Sequence, residues 1–586
     1  MTQLSPAEQE AINALEKIKF CIDKNQCFRL EAGAGAGKTY SLIESIRYII
    51  EKKANELLKK EQQIACITYT NVAKDEIKDR TDHHPVIFAD TIHSFCWSIL
   101  QNYQVKMREL IADLNEKWNE RINEAGGITN QIVKYDLGYP SINEKEISLH
   151  HDDVVVLMSR MLSYPKFQKL LRSKFPIILI DEYQDTDKKL AASIASNIID
   201  NDSGVIVGLF GDHWQKIYGS SACGLISSNA GKLNEIGKKA NFRSDKNIVS
   251  CLNRMRPDLP QAESNPASQG VIKVFHSNSW DGTRRDGKGG GHWKGDLPPE
   301  SAKNYIDKVK ELMVADGWDI SSTNTKILLL TNNLIANEQN FKNLADCFRY
   351  TDDYLKQQNN YIKFFLDIIE PTISAFESCE YGKIFQVGGK NHPQLQCQKD
   401  KKIWSDNLKK LKTARNQKNI GEVLDLLFES KTPQLSAKVE QSTAKFRSLQ
   451  AKVSEELEEE DKRFLDKIHK IQSVSYQEVV NLDQYIEEKT PFSTKHGVKG
   501  AQFSNVLVVF GRGWNRYNWS QLLEWMEDGY PNDKQEMYER NRNLFYVCCS
   551  RAKHNLTLLF TQELSGKALS VVERIFGQDN VLGDPF

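Results

Sequence analysis

The segment Glu31-Ala32-Gly33-Ala34-Gly35-Ala36-Gly37-Lys38-Thr39 has the residue types and spacing to hold a phosphate chain. Glycines let successive backbone N–H groups turn toward an anion. A lysine at position 38 can reach the β- and γ-phosphates, and the Thr39 hydroxyl can hold Mg²⁺. Ala32 stands where the strict pattern has glycine, and its small side chain still permits the turn. The loop is expected between a short strand, Phe28 to Glu31, and a helix beginning at Thr39. A second group of chemical interest lies at Ile177-Ile178-Leu179-Ile180-Asp181-Glu182. The apolar run predicts a buried parallel strand that delivers two carboxylates at its C-terminal end, where open α/β sheets carry their chemistry. Triphosphate hydrolysis needs one acid on the metal and one on the attacking water. Asp181 suits the first task and Glu182 the second.

The residues that follow, Tyr183-Gln184-Asp185-Thr186, narrow the class, because the chain here resembles superfamily 1 DNA helicases of the UvrD/Rep/PcrA kind. The resemblance continues in order along most of the sequence. Leu4-Ser5-Pro6-Ala7-Glu8-Gln9 is similar to the family's N-terminal glutamine motif, which implies that the Gln9 amide reads adenine, a pairing that glutamine geometry suits. Ile67-Thr68-Tyr69-Thr70-Asn71 and Asp90-Thr91-Ile92-His93-Ser94-Phe95 resemble the two motifs that contact single strands, which assigns Thr68, Thr70, Asn71 and His93 to DNA. Gly211-Asp212-His213-Trp214-Gln215-Lys216-Ile217-Tyr218 resembles the third motif, with Gln215 as γ-phosphate sensor and Tyr218 on DNA. Asn241-Phe242-Arg243-Ser244 resembles the fourth, with Phe242 stacked on adenine and Arg243 as an arginine finger. His496-Gly497-Val498-Lys499-Gly500-Ala501-Gln502-Phe503 and Tyr546-Val547-Cys548-Cys549-Ser550-Arg551 resemble the last two, with Arg551 as the second finger. Gln502 replaces the usual glutamate near the ribose, and Ser550 the usual threonine. Neither change touches phosphate or metal chemistry.

Composition sets limits. The 78 basic and 78 acidic residues cancel, so DNA affinity must come from a local groove and not from a global field. The 11 cysteines follow no Cys-x-x-Cys spacing, which argues against a zinc or iron–sulfur site and fits a reducing cytoplasm. No apolar run reaches membrane-spanning length, so no membrane partner is expected.

The resemblance implies an α/β fold of two RecA-like P-loop domains, parallel sheets flanked by helices, with an insertion in each. Residues 1–102 and 152–256 would form the first, interrupted by a short helical insertion at 103–151. Residues 257–346 and 490–586 would form the second, with strands expected at 271–275, 326–330, 506–509 and 556–560. Residues 352–489 read as a helical insertion, whose 435–485 portion suggests an antiparallel helical hairpin. The tryptophan- and glycine-rich stretch 279–294 reads as an exposed hairpin loop with two anchoring indoles, the alternative being a DNA or partner contact.

The functional expectation is an ATP- and Mg²⁺-dependent translocase on single-stranded or tailed DNA, moving 3′ to 5′. The rival is an end-sensing ATPase subunit with little unwinding of its own, because the chain also resembles the UvrD-like component of antiphage systems such as Gabija. That component works with a separate nuclease of the OLD type.

Overall fold

The computed structural model describes residues 4–136, 139–217, 219, 221–286, 293–388, 395–452, 457–512 and 517–586. They form two compact units. The first comprises residues 1–296, 498–508 and 514–586, the second residues 297–497 and 509–513.

In the first unit, six parallel strands lie in the order Ile87–Thr91, Ile64–Thr68, Ile177–Asp181, Ile206–Gly211, Cys27–Ala32, Leu233–Lys238. The runs Ile64–Thr68, Ile177–Asp181 and Ile206–Gly211 are buried along their whole length, because helices cover both faces of the sheet. Phe28, Leu30, Ile43 and Ile46 pack one face, while Phe95, Leu157, Ile180 and Leu209 pack the other. Register decides what meets at the carboxyl edge. Leu30 and Asp181 both lie level with Phe210, so the phosphate loop, the acidic pair and the segment after Gly211 emerge side by side.

The same unit holds the parallel strands Val271–His276, Ala552–Phe560 and Val581–Gly583, with residues 503–508 beside Ala552–Phe560. The fold is α/β, with the parallel sheets and flanking helices of RecA-like domains. In the second unit, Thr325–Leu329 pairs in parallel with Phe492–Thr494. A train of helices intervenes. Ala437–Gln450 and Glu459–Ser473 follow one another there, and the 3.0 Å ion pair of Lys445 with Asp461 joins the second half of one to the first turn of the next.

Segment 103–151 differs from its helical expectation. Helices Gln104–Ile111 and Glu116–Glu124 are followed by a small sheet of Ile132–Tyr135, Ser141–Ile142 and Glu146–Leu149. The reason is local: Ile147 and Leu149 alternate with polar neighbours at period two, and their side chains bury with Val133. Such short strands carry too few residues to stand out from the flanking helical pattern. In stretch 279–294, the Arg284 guanidinium lies 5.7 Å from the Trp280 ring and Arg285 lies 4.4 Å from Trp293, so each indole is matched to a local cation.

Candidate nucleotide site

The phosphate loop is built on backbone that glycine alone takes easily. Gly35 and Gly37 have φ of 77° and 73°, and Gly37 opens the helix Lys38–Lys59. Space is equally restrictive, since a Cβ at Gly35 would lie 2.7 Å from the Arg243 Cβ and one at Gly33 would lie 2.8 Å from Gln261 Nε2. The loop is therefore packed from behind. Phe242 N–H donates to the Gly35 carbonyl at 2.9 Å. Asn241 and Gln261 both donate to the Ala34 carbonyl at 3.2 Å, and the Ala34 N–H donates to the Tyr546 hydroxyl at 3.3 Å. Ala32 and Ala36 are buried, which explains why small residues occupy those positions.

The acids sit opposite. Lys38 Nζ is 3.8 Å from Glu182 Oε1, and Gln184 donates to the other oxygen of Glu182. Burial opposes the Glu182 charge, but Lys38, Lys499 and Gln184 outweigh it and hold the carboxyl below its usual range. Asp181 behaves differently. Burial, then the Glu182 charge, push it up to about 7. Glu182 itself takes a left-handed backbone, φ 49°, which turns the chain sharply off the strand end. Thr39 is half-buried in the first helical turn. A glycine cradle, a lysine, a hydroxyl and two carboxylates at one sheet edge fit a nucleoside triphosphate with a divalent cation.

Two guanidiniums complete the arrangement. Arg243 Nε donates to Gln502 Oε1 at 3.3 Å and its Nη1 to the Ser550 carbonyl at 2.8 Å. Arg551 is fully buried and donates to the carbonyls of Val547 and Ala501 and to the Ser550 hydroxyl. Among the described residues, every hydrogen-bond partner of these two guanidiniums is neutral. Burial works against both charges, and for Arg243 the neighbouring Arg551 adds repulsion. An anion held between them would relieve that cost.

Gln215 is buried, and its amide donates to Asp212 Oδ2 at 2.8 Å. Phe242 leaves 43% of its surface exposed. Gln9 is exposed on the helix Pro6–Asp23, where its amide donates to Asn13. Of the DNA candidates, Thr70 and Asn71 are exposed at the start of the helix Asn71–Arg80, and His93 is half-buried, its ring 4.7 Å from that of His151. Thr68 is not presented to solvent. Its side chain is buried and its hydroxyl donates to the Thr70 carbonyl at 3.1 Å, because it still belongs to the strand Ile64–Thr68, which has a neighbour on either side. Tyr218 lies outside the described residues. Trp214 is buried, with the Arg542 and Arg256 guanidiniums 3.9 and 5.1 Å from its ring, so it packs internally.

Lys238 was not legible as a site residue. It is 1% exposed, and its ammonium donates to the Gly37 carbonyl at 3.1 Å and the Ser41 hydroxyl at 2.7 Å. Burial, then the Lys38 charge, lower it to about 8 from 10.5. Between those values the unfolded chain carries a proton that the folded one has lost, so stability rises with pH across the window, by about 3 kcal/mol in all. Lys238→Met is expected to lack this rise. Urea unfolding of both proteins at pH 8 and pH 10 measures it, and parallel pH dependence would refute the assignment.

Comparison with known proteins agrees with this geometry. Residues 16–221 match an AAA domain, and residues 301–563 match the UvrD-like helicase C-terminal domain. The chain belongs to the UvrD-like helicases. It is 25% identical to the Gabija protein GajB of Bacillus cereus, over 97% of this chain and 98% of that protein. It is 27% identical to the ATP-dependent DNA helicase PcrA of Staphylococcus aureus, over 38% of this chain and 37% of that one. PcrA of Staphylococcus epidermidis matches to the same extent. No described helix of this UvrD-like helicase is long and apolar enough to cross a membrane.

Proposed function

We propose that the chain is an ATP-dependent translocase on single-stranded DNA, moving 3′ to 5′, that works with a separate nuclease subunit. The observation that carries the ATPase reading is the pair of guanidiniums, half-buried Arg243 and fully buried Arg551, with neutral partners beside a glycine cradle. Lys38 and the backbone of residues 32–37 bind the triphosphate. Glu182, held ionised by Lys38 and Lys499, accepts the proton of the attacking water. Magnesium bound by Thr39 and Asp181 would neutralise charge on the phosphates. Gln215 senses the γ-phosphate, while Arg243 and Arg551 stabilise charge that develops on it. Phe242 stacks on the base, Gln9 reads its edge and Gln502 faces the ribose. Thr70, Asn71 and His93 grip the strand, with Thr68 shaping the turn that presents them and Tyr218 completing the contact. Such backbone grip and stacking need no sequence readout.

The likeness to GajB along nearly the whole chain favours dependence on a partner, and the resemblance to Gabija-type systems makes an OLD-type nuclease in the cytoplasm the proposed one. The same likeness supports a role in antiphage defence over general repair. A strand-displacement assay on 3′- and 5′-tailed duplexes, with and without the product of the neighbouring gene, tests both parts. The expected result is poor unwinding by the single chain with DNA-stimulated ATP hydrolysis, and a 3′-tail preference once the partner is present. Robust unwinding of 3′-tailed duplex by the chain alone, indifferent to the partner, would sink partner dependence. A preference for 5′ tails would sink the polarity.

A further inference from the structure

A second cluster of buried charge lies behind the phosphate loop. Arg256, 2% exposed, donates through Nη1 to Asp212 Oδ1 at 2.6 Å, and its Nη2 is 3.7 Å from Glu31 Oε2. Glu31 is the last residue but one of the strand entering the loop, and it also meets Arg29 at 3.2 Å, His213 at 3.1 Å and the Tyr183 hydroxyl. Glu31, Asp212 and His213 stand close enough together to ligate a metal, all within 4.8 Å. Arg29 and Arg256 already supply the positive charge there, so the cluster reads as an ion-pair network.

What the network does follows from Asp212. One carboxylate oxygen takes the Arg256 proton and the other takes the Gln215 amide proton at 2.8 Å. Burial opposes ionisation of Asp212, but Arg256 and Lys38 outweigh it and keep the carboxyl below its usual range. An ionised carboxylate can only accept, so the nitrogen of the Gln215 carboxamide must face it. The other face of that amide, its oxygen and second N–H, is fixed as a result. Arg256 also lies 5.9 Å from the ring of Tyr546, whose hydroxyl anchors Ala34 of the loop.

We propose that Arg256 is a positioning residue for hydrolysis: through Asp212 it fixes the orientation of the Gln215 amide, and through Glu31 it ties that orientation to the strand carrying the phosphate loop. The assignment rests on the ATPase reading above and adds to it the residue that sets Gln215. Gln215 is thereby coupled to the loop through Asp212, Arg256 and Glu31.

The test uses the full chain with single-stranded DNA, comparing Arg256→Met, Arg256→Lys, Gln215→Ala and the double variant Arg256→Met/Gln215→Ala. Arg256→Met is expected to lower DNA-stimulated kcat by about tenfold to hundredfold, the scale of a misplaced catalytic group. Affinity for a non-hydrolysable ATP analogue should stay within about threefold, and Arg256→Lys should recover part of the rate. The double variant should be no slower than Gln215→Ala, because the two residues act in series. Multiplying losses, or a loss of nucleotide affinity as large as that of kcat, would overturn the proposal. Should Arg256→Met fail to fold, the neutral pair Asp212→Asn/Arg256→Gln keeps a hydrogen bond and serves in the same comparison with Gln215→Ala. A wild-type chain without DNA-stimulated hydrolysis would defeat the functional reading and this assignment with it. An active wild type matched by Arg256→Met would defeat this assignment alone.

Discussion

Glu182→Gln is expected to abolish DNA-stimulated ATP hydrolysis while ATP stays bound. The carboxylate is ionised because Lys38, Lys499 and Gln184 hold it so against burial, and an amide of the same shape cannot take a proton from water. Its hydrogen bond from Gln184 and its left-handed backbone survive the exchange, so the site keeps its form. Lys38→Ala should also lose hydrolysis, by a different route. It removes a phosphate partner and leaves Glu182 without its 3.8 Å counter-charge, so nucleotide affinity falls as well. A fluorescent ATP analogue titrated alongside phosphate-release assays separates the two. Near wild-type turnover by Glu182→Gln would remove Glu182 from the role of base.

The second large effect belongs to the guanidinium pair. Arg243→Ala and Arg551→Ala should each slow hydrolysis by about 10³–10⁵, as arginine fingers do, and spare initial ATP binding. Arg551 is fully buried and donates to three oxygens, so a melting curve must accompany the kinetics. A slowdown below about tenfold, ~1.4 kcal/mol, would make Arg551 a packing residue.

Much of this site is legible in the sequence because its chemistry is contiguous. Residues 32–39 and 181–182 each carry their chemical groups in neighbouring positions, and the strands Ile177–Asp181 and Ile206–Gly211 announce themselves as unbroken runs with few polar side chains. What escapes the sequence are single residues whose meaning comes from register. Lys238 is an unremarkable basic residue until the strand pairing sets it opposite Ala32. Gln261 and Arg256 have no local pattern at all, yet one holds the Ala34 carbonyl and the other Asp212. The motif around Thr68 locates a strand end and the start of a helix but not the facing of each side chain, because alternation along a strand turns neighbouring side chains to opposite sides. The small sheet of residues 132–149 escapes for another reason: in strands of two to four residues the alternation is too short to stand out from the flanking helical pattern.

The hydroxyl that anchors Ala34 belongs to Tyr546, 512 positions downstream. Synthesis proceeds N-terminus first, at about 5–20 residues per second. Until residues 546 and 551 have been made, a nascent chain thus displays the glycine loop and Lys38 without Tyr546 or Arg551. Any nucleotide it catches then meets a loop whose Ala34 N–H lacks the Tyr546 hydroxyl.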